Sequence, residues 1–380
     1  MVLRVQRWHA GTGVSLRPGE QALGLALGEP SVGLRRMVCR LALDAHSSFA
    51  REEQLVQELG MGPVSREKLR QVVQGEGQKA QEAQQKQQFP LNWEDRGGPG
   101  ARREGAPVCV GVDGVMTRQV TEQEKHKRRR KVAGKRGARA KAGKKLKPLA
   151  PRKAGADNPW KEVKIVGVYA AGHEHRHWVS TTLGHLMAAV LILQVARRVG
   201  LKLVQDAVAI VDGAEWIAAR LRETLPHLQA IILDFYHLSE HVHAALREAY
   251  GEGTPQARQW AERLLTAIRG QGFAAFDSLL KQCLAHAPNT PAAQTALTKL
   301  RQYVSQRQEM VNYPYFEAQG WPIGSGPTES MASVLTARIK GRGRRWDADN
   351  IDAVMALQAL EVNDEWAAYW KAQTSWKVAA

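Results

Sequence analysis

Two short apolar runs, each ending in Asp-Gly, constrain the fold of this chain more than any other feature. Val108 to Val112 and Ala207 to Val211 are almost wholly apolar, which is typical of strands buried on both faces of a mostly parallel sheet. Open α/β sheets bind ligands in the crevice beyond the carboxyl ends of their strands. We therefore expect an α/β fold in which Asp113 and Asp212 lie close together, although they are far apart in the chain.

A third acidic residue, Glu329, lies in the motif GSGPTES, where a helix is predicted to begin at Gly326 or Pro327. If folding brings it to Asp113 and Asp212, like charges held close together need a cation to compensate them. The sequence thus predicts a site for two Mg²⁺ or Mn²⁺ ions, a kind of site that supports phosphodiester chemistry on nucleic acid. Asp and Gly are also common in turns. For either aspartate considered alone, a turn without any catalytic role is the alternative interpretation.

The predicted order of elements favours a ribonuclease H-like mixed sheet flanked by helices. Three consecutive strands, the first bearing Asp113, precede a helix and the strand that ends at Asp212. A further helix and a strand ending at Asp234 follow. The predicted strands after the first are Glu162 to Ala170, Trp178 to Leu183, Ala207 to Val211 and Ala230 to Leu233, and the predicted helices are Leu186 to Val199 and Glu215 to Leu221.

Positive charge is concentrated in one stretch of the chain. The net charge is +17, and between Arg118 and Lys153 sixteen Lys or Arg residues stand against two acids. This stretch has few large apolar residues and is broken by Gly and Pro, which predicts a disordered insertion over residues 118–159. We expect salt-sensitive contact with nucleic-acid phosphates, with a solvated charge run or a localisation tag as the alternative. The expected contacts are Lys127, Arg128, Arg129, Arg130 and Lys131.

The first hundred residues predict a separate helical module. Helical spacing from Leu34 to Leu43 is followed by two short amphipathic helices, Glu52 to Leu59 and Ser65 to Val73, around a Gly-rich turn. This is helix-turn-helix spacing, with Ser65 as the N-cap of the second helix. Two short helices also pair for packing reasons alone. In the first interpretation, the second helix presents Arg66, Lys68 and Arg70 to DNA.

Cations and a tryptophan follow Glu329 in the sequence. Residues of these types can hold a phosphate backbone and stack on an unpaired base. Trp321 is a second candidate for stacking, although most tryptophans are core residues. The residues predicted to contact nucleic acid here are Lys340, Arg342, Arg344, Arg345 and Trp346.

Composition excludes several classes of protein. The chain has 380 residues, of which 44% are hydrophobic, so it can bury a sizeable core. Its three cysteines include no Cys-x-x-Cys pair, so they predict neither a disulfide framework nor a cysteine zinc site, and a reducing cytoplasm fits. The longest apolar stretch, Leu186 to Ala196, is too short to cross a bilayer, and no secretory leader is recognisable.

Five motifs together resemble ISKra-type bacterial insertion-sequence transposases, relatives of the Mutator-like group. In chain order they are GVDGV, EVKIVGVY, IVDGAEWI, ILDFYHLSEH and GSGPTES with the later RIKGRGRRW, within residues 34 to 360. The resemblance implies a ribonuclease H-like DDE domain with a helical insertion before the final Glu. It implies Asp113, Asp212 and Glu329 as the metal-binding triad, and Asp234 and His237 as an accessory motif. The basic insertion after Asp113 departs from the family pattern.

The resemblance also implies a function. The expected activity is that of a DNA transposase, which cleaves transposon ends and joins the 3′ hydroxyls to target DNA, as a homo-oligomer at the bacterial nucleoid. The alternatives are a structure-specific nuclease and a catalytically inactive, transposase-derived DNA-binding protein. Asp234 is the competing candidate for the place of Asp212.

The domain boundaries are predicted from the same features. They are an N-terminal helical DNA-binding domain over residues 1–100, the first part of the catalytic core over 106–239, a helical insertion over 240–320, and C-terminal helices over 321–380 that complete the core.

Overall fold

The computed structural model describes residues 7–9, 14–16, 30–60, 64–88, 107–146, 148, 154–170 and 175–374. The chain divides into two compact units, each assembled from separated segments. The helical unit comprises Met1–Pro90, Thr117–Lys161 and Leu335–Ala380, and the sheet unit comprises Leu91–Met116 and Glu162–Val334.

The elements of the described residues are as follows in chain order. The strands are β1 (Arg7–His9), β2 (Val14–Leu16), β3 (Val108–Arg118), β4 (Trp160–Ala170), β5 (Arg176–Thr181), β6 (Ala207–Val211) and β7 (Ala230–Leu233). The helices are α1 (Val32–Ala42), α2 (Phe49–Glu58), α3 (Arg66–Gln85), α4 (Glu122–Lys141), α5 (His185–Arg198), α6 (Glu215–Thr224), α7 (Phe235–Tyr250), α8 (Pro255–Gln271), α9 (Phe273–His286), α10 (Pro291–Ser305), α11 (Tyr313–Ala318), α12 (Gly326–Lys340), α13 (Ala348–Val362) and α14 (Trp366–Thr374).

The centre of the helical unit is α3, which packs against α1, α2 and α13. Ser65 caps α3 by accepting the Lys68 N–H, as its predicted N-cap role requires. The predicted short second helix is the first part of this 20-residue helix. Close approach of α3 and α13 depends on Gly77, where a Cβ atom would lie 2.3 Å from the Ala353 carbonyl oxygen. Beside this contact, the buried Glu76 pairs with Arg35 at 2.9 Å.

The prediction of disorder in the basic insertion is wrong for residues 122–141, which form α4. Thr121 and Glu124 make a capping box at its start, in which each side chain accepts the other's backbone N–H. This box satisfies two backbone donors that a helix start otherwise leaves unpaired. Local capping therefore starts a helix that the composition of the segment disfavours.

A mixed five-stranded sheet in the order β5-β4-β3-β6-β7 forms the core of the sheet unit. β4 and β5 are antiparallel, whereas β3 with β6 and β6 with β7 are parallel. Every residue of β6 is buried, as its apolar sequence predicts. The α/β class is confirmed, and the sheet is compatible with the ribonuclease H-like arrangement expected from the order of elements.

Helices separate the last strand from Glu329, as predicted. α7 packs against α8 and α10, and α9 packs against both α8 and α10. Short helix α11 packs on α8. This group, α7 to α11, lies in the chain between β7 and α12 and is called the helical insertion below.

The C-terminal region divides differently from the prediction. Residues 321–380 were expected to complete the catalytic core, but Leu335–Ala380 cluster with the helical unit. The cause is α13, in which ten of 15 residues are buried and which packs on α3. Such a helix needs neighbours on most of its sides.

Candidate functional site

The register of β3 and β6 places two aspartates at equivalent positions on neighbouring strands. The last register pair joins Val112 to Val211, and the next residue in each chain segment is an aspartate. Neighbouring strands lie about 4.8 Å apart. Asp113 does not end its strand as predicted, since β3 continues to Arg118, whereas β6 does end at Val211. The expected juxtaposition of Asp113 with Asp212 therefore follows from strand pairing.

Local turns orient both aspartates. Asp113 Oδ1 accepts the N–H of Gly114 at 2.6 Å, and Asp212 Oδ1 accepts the N–H of Ala214 at 3.0 Å. Gly213 has a φ of +88°, a conformation that favours glycine. The second carboxylate oxygen of each aspartate takes no part in these hydrogen bonds, and both residues are half-buried.

Glu329 lies in the first turn of α12 and is exposed. The first turn of α12 crosses β3 at Gly111, where a Cβ atom would lie 2.2 Å from Thr328 Oγ1. Gly111 is two residues before Asp113, so the absence of a side chain there lets α12 approach the aspartates. Glu329 Oε1 accepts a hydrogen bond from Ser325 Oγ at 2.9 Å.

The three predicted carboxylates interact electrostatically. Burial raises the pKa of the Asp113 carboxyl, and the negative charges of Asp212, Glu329 and Glu162 raise it further, against the lowering effect of the Gly114 N–H. Two carboxylates near a third disfavour its ionised form. The structure thus brings Asp113, Asp212 and Glu329 into one neighbourhood.

Glu162 is a fourth carboxylate of this neighbourhood that the sequence analysis missed. It lies on β4, and its Oε1 would be 1.9 Å from a Cβ atom built on Gly114. Its other oxygen pairs with Lys164 Nζ at 2.9 Å. The signal that could have identified it is its place near the start of EVKIVGVY, on a strand expected beside β3.

No group of three or more His, Cys, Asp or Glu side chains in the described ranges stands close enough together to hold a metal ion. The chemistry of the donors nevertheless suits Mg²⁺ or Mn²⁺, which prefer carboxylate oxygens. Burial raises the pKa of Asp113, and like-charge repulsion raises it further. A divalent cation would relieve that repulsion.

Asp234 has both carboxylate oxygens engaged. Oδ1 accepts the N–H of His237 at 2.8 Å, which caps α7, and Oδ2 accepts the N–H of Ser325. Its side chain is 1% exposed. The neighbouring Phe235 N–H also bonds the Ile323 carbonyl at 2.9 Å. This arrangement favours Asp212 over Asp234 as the partner of Asp113, and makes Asp234 the anchor of the segment that leads to Glu329.

A cationic and aromatic group from the helical insertion lies beside Asp212, and the sequence analysis missed it. Arg307 Nε and Nη2 donate to the Gly213 carbonyl at 3.1 and 2.8 Å. Its guanidinium lies 4.0 Å from the centre of the Tyr303 ring, on which His241 stacks at 4.2 Å. Burial raises the pKa of Tyr303 to about 12, Arg307 lowers it and Asp212 raises it.

His237, predicted as an accessory residue, lies at the edge of this group. Its ring contacts His241 at 5.0 Å, and its Nδ1 is 3.7 Å from Glu240 Oε2. Burial lowers the pKa of His241, and the nearby His237 and Arg307 lower it further. The insertion therefore contributes imidazole, phenol and guanidinium groups next to the turn that holds Asp212.

The predicted nucleic-acid contacts in the helical unit fall into two groups. Arg66 is exposed, and so is every residue from Lys127 to Lys131. Lys68 and Arg70 are half-buried, and Arg70 Nε bonds Glu67 at 3.0 Å. The turn residues 61–63 lie outside the described residues. DNA contact by these side chains stays a prediction.

Of the predicted cationic contacts that follow Glu329 in the sequence, two bind groups inside the helical unit. Lys340 and Arg342 are exposed, whereas Arg344 donates to the Ser47 carbonyl at 2.7 Å and Arg345 pairs with Glu124. Trp346 is 9% exposed and lies under the Arg338 guanidinium. Its burial argues against the predicted stacking on a base, as does that of Trp321 in the sheet unit, which is 6% exposed.

Comparisons with known proteins add little to this geometry. No family model matches the chain, and no curated protein matches it, so the ISKra-type resemblance finds no support there. A similar solved structure is the Drosophila P element transposase strand transfer complex, with 10% sequence identity and a TM-score of 0.31, over 94% of this chain and 84% of that one. A TM-score this low does not establish a common fold. Within the described ranges, no helix combines the length and the apolar character of a membrane span.

Proposed function

We propose that this chain is a DNA transposase that cleaves and joins phosphodiester bonds at Asp113, Asp212 and Glu329. The observation that carries the proposal is the register, which sets Asp113 beside Asp212. Burial raises the pKa of Asp113, and the charges of Asp212 and Glu329 raise it further. Repulsion of this kind is costly in a structural site. It is expected where a site holds divalent cations.

Each carboxylate has a distinct part in the proposed site. Asp113 and Asp212 come from paired strands and are held by their own turns, so they form its rigid side. Glu329 is exposed on a helix and completes the ligand set from the other side. Mg²⁺ or Mn²⁺ held by these oxygens would supply activation of a water or 3′ hydroxyl and would offset charge on the leaving oxygen. No side chain needs to act as a nucleophile.

Cleavage by carboxylate variants tests the proposal. Asp113→Asn and Glu329→Gln should each reduce cleavage of DNA that flanks the gene to background in Mg²⁺, because each removes a ligand charge. DNA affinity in EDTA should stay unchanged. Asp206→Asn is the matched control, since Asp206 directly precedes the opposite end of β6, and it should cleave normally. Near-normal cleavage by purified Asp113→Asn or Glu329→Gln protein would refute the assignment.

A substrate with a pre-cut 3′ end separates transposase from nuclease. A transposase joins this end to a second duplex without further hydrolysis, and the same two variants should lose joining. Cleavage without joining would identify a structure-specific nuclease. Binding without either reaction, in Mg²⁺ and in Mn²⁺, would identify a DNA-binding protein that has lost activity.

A further inference from the structure

Helix α4 is unusual in the helical unit because it lacks a buried face and is strongly basic. It is 20 residues long, and none of its residues is buried. Ten of its residues are Lys or Arg, against two Glu that both lie in its first turn. Burial of an apolar face therefore contributes nothing to its stability, and packing cannot be its purpose.

The start of α4 is firmly attached to the helical unit. Besides the Thr121 capping box, Lys125 pairs with Asp347 at 2.9 Å, and Glu124 pairs with Arg345. Glu122 Oε2 also accepts the N–H of Gly155 at 2.6 Å. These contacts fix the origin of the helix, while the cations follow in later turns.

The cations of α4 surround the helix axis instead of forming one stripe. At 100° per residue, consecutive cations from Lys127 to Lys131 already cover every side. The only large apolar side chain among them is Val132, which is exposed. A helix that binds a membrane surface or a protein groove needs an apolar face. The absence of such a face leaves a polyanion as the partner that this charge fits.

The free helix is internally strained by charge. Like charges four residues apart repel one another, and α4 repeats this spacing in Lys127, Lys131, Lys135 and Arg139. Gly134 and Gly137 lower its helix propensity further. Phosphates placed along the helix would neutralise the repulsion, so binding of a polyanion should increase its helicity.

We propose that α4 binds duplex DNA by lying in the major groove, with its cations on the phosphates of both groove walls. A 20-residue helix is about 30 Å long and about 10–12 Å wide, and the major groove of B-DNA is about 12 Å wide. The major groove of A-form RNA is too narrow for side chains to enter. The inference deepens the proposed function and rests on it for the class of partner, but it needs none of the three carboxylates.

Binding of the full chain to duplexes tests the inference. In EDTA, the protein should bind a 25-base-pair random-sequence DNA severalfold more tightly than an RNA duplex of the same sequence. Replacement of all five residues from Lys127 to Lys131 by Gln should reduce the magnitude of the slope of log affinity against log salt by about 4.5 for DNA, since each lost contact removes about 0.9. EDTA removes cleavage, so an inactive carboxylate site leaves this result unaffected.

Two further variants distinguish the effects on binding of the position of the charges and of the helix from the effect of total charge. The first variant replaces five exposed cations of the sheet unit by Gln and should leave the salt slope nearly unchanged. The replaced residues are Lys202, Arg222, Arg258, Lys281 and Lys299. Ala133→Pro with Ala138→Pro keeps every charge but breaks the helix. This variant should lose the preference for DNA over RNA while its thermal midpoint stays the same, because α4 has no buried residue.

Circular dichroism provides an independent readout. Helical signal should increase when wild-type protein binds the DNA duplex, and the increase should be absent in the double-proline variant. Equal affinity for the DNA and RNA duplexes, an unchanged salt slope in the Lys127–Lys131 variant, or full DNA preference in the proline variant would each overturn the inference.

Discussion

Asp113 is a residue whose ionisation opposes folding. Its pKa, ordinarily 3.8, is raised in the folded chain by burial and by neighbouring carboxylates. The folded state therefore holds this proton more tightly than the unfolded state, and stability is lost as the pH rises from 3.8 through the raised pKa. At neutral pH the ionised side chain destabilises the metal-free protein.

Asp113→Asn should consequently raise the thermal midpoint in EDTA at pH 7, and the gain should shrink as the pH falls from the raised pKa towards 3.8. Thermal melts across pH measure it. Asp277 is a control of opposite sign, since hydrogen bonds and charge from Arg301 and Lys281 lower its pKa. Asp277→Asn should lower the midpoint at pH 7. A neutral-pH midpoint for Asp113→Asn at or below wild type would contradict the electrostatic reading of the site.

Ser325 is a positioning residue for Glu329. Its N–H is held by the buried Asp234, and its hydroxyl donates to Glu329 at 2.9 Å. We expect Ser325→Ala to weaken Mg²⁺ binding about fivefold, the equivalent of about 1 kcal/mol for one hydrogen bond. Calorimetric titration of the DNA-free protein with Mg²⁺ measures this without reference to activity.

Ser330→Ala is the matched control for that change. Ser330 is an exposed serine next to Glu329 on the same helix, and its loss should not alter Mg²⁺ affinity. Ser325→Thr keeps a hydroxyl and should recover most of the binding. Equal Mg²⁺ affinity for Ser325→Ala and Ser330→Ala would show that Glu329 needs no such support.

The sequence predicted that Asp113 and Asp212 lie side by side, because local pattern decides their positions. Asp113 and Asp212 follow apolar runs, and parallel pairing of those runs aligns them. The contacts of Asp234 and Arg307 could not be predicted, because they join residues about ninety positions apart in the chain. Their side chains gave no periodic signal, and only the folded topology reveals what they bind.

Short, continuous apolar runs predicted the last two strands correctly. β6 and β7 have their expected bounds. α4 was missed because composition outweighed a local signal: Thr121-x-x-Glu124 is a capping box that the sequence already contains. A charge-rich segment can thus begin as a helix when its start is capped.

The close packing of α3 on α13 can be tested by substituting glycines of α3. Gly77→Ala should destabilise the protein by about 1–3 kcal/mol, because the added methyl group overlaps the Ala353 backbone. Gly75→Ala lies two residues away in the same helix, where nothing stands within 4 Å of the new Cβ. It should stabilise by up to about 1 kcal/mol through helix propensity. Urea unfolding of both variants measures the difference, and equal effects would contradict the close approach.

At the scale of the whole molecule, neither unit is a continuous stretch of chain. The helical unit takes segments from the beginning, middle and end of the sequence, and the sheet unit takes the remainder. The boundaries expected from composition therefore differ from these units, because a change of composition along a chain marks a linker and does not show that a distant segment returns. The apolar surface of α13 gave no indication that α3 is its partner.

This interleaving has a consequence for biosynthesis. While a ribosome translates the message, the side of α3 around Gly77, which packs on Ala353, has to wait for α13, encoded more than 260 codons later. Nascent polypeptides therefore expose this side of α3 while the intervening codons are translated. Native tertiary structure in this unit can be completed only after α13 has left the ribosome, so growing chains should be ready clients for ribosome-associated chaperones.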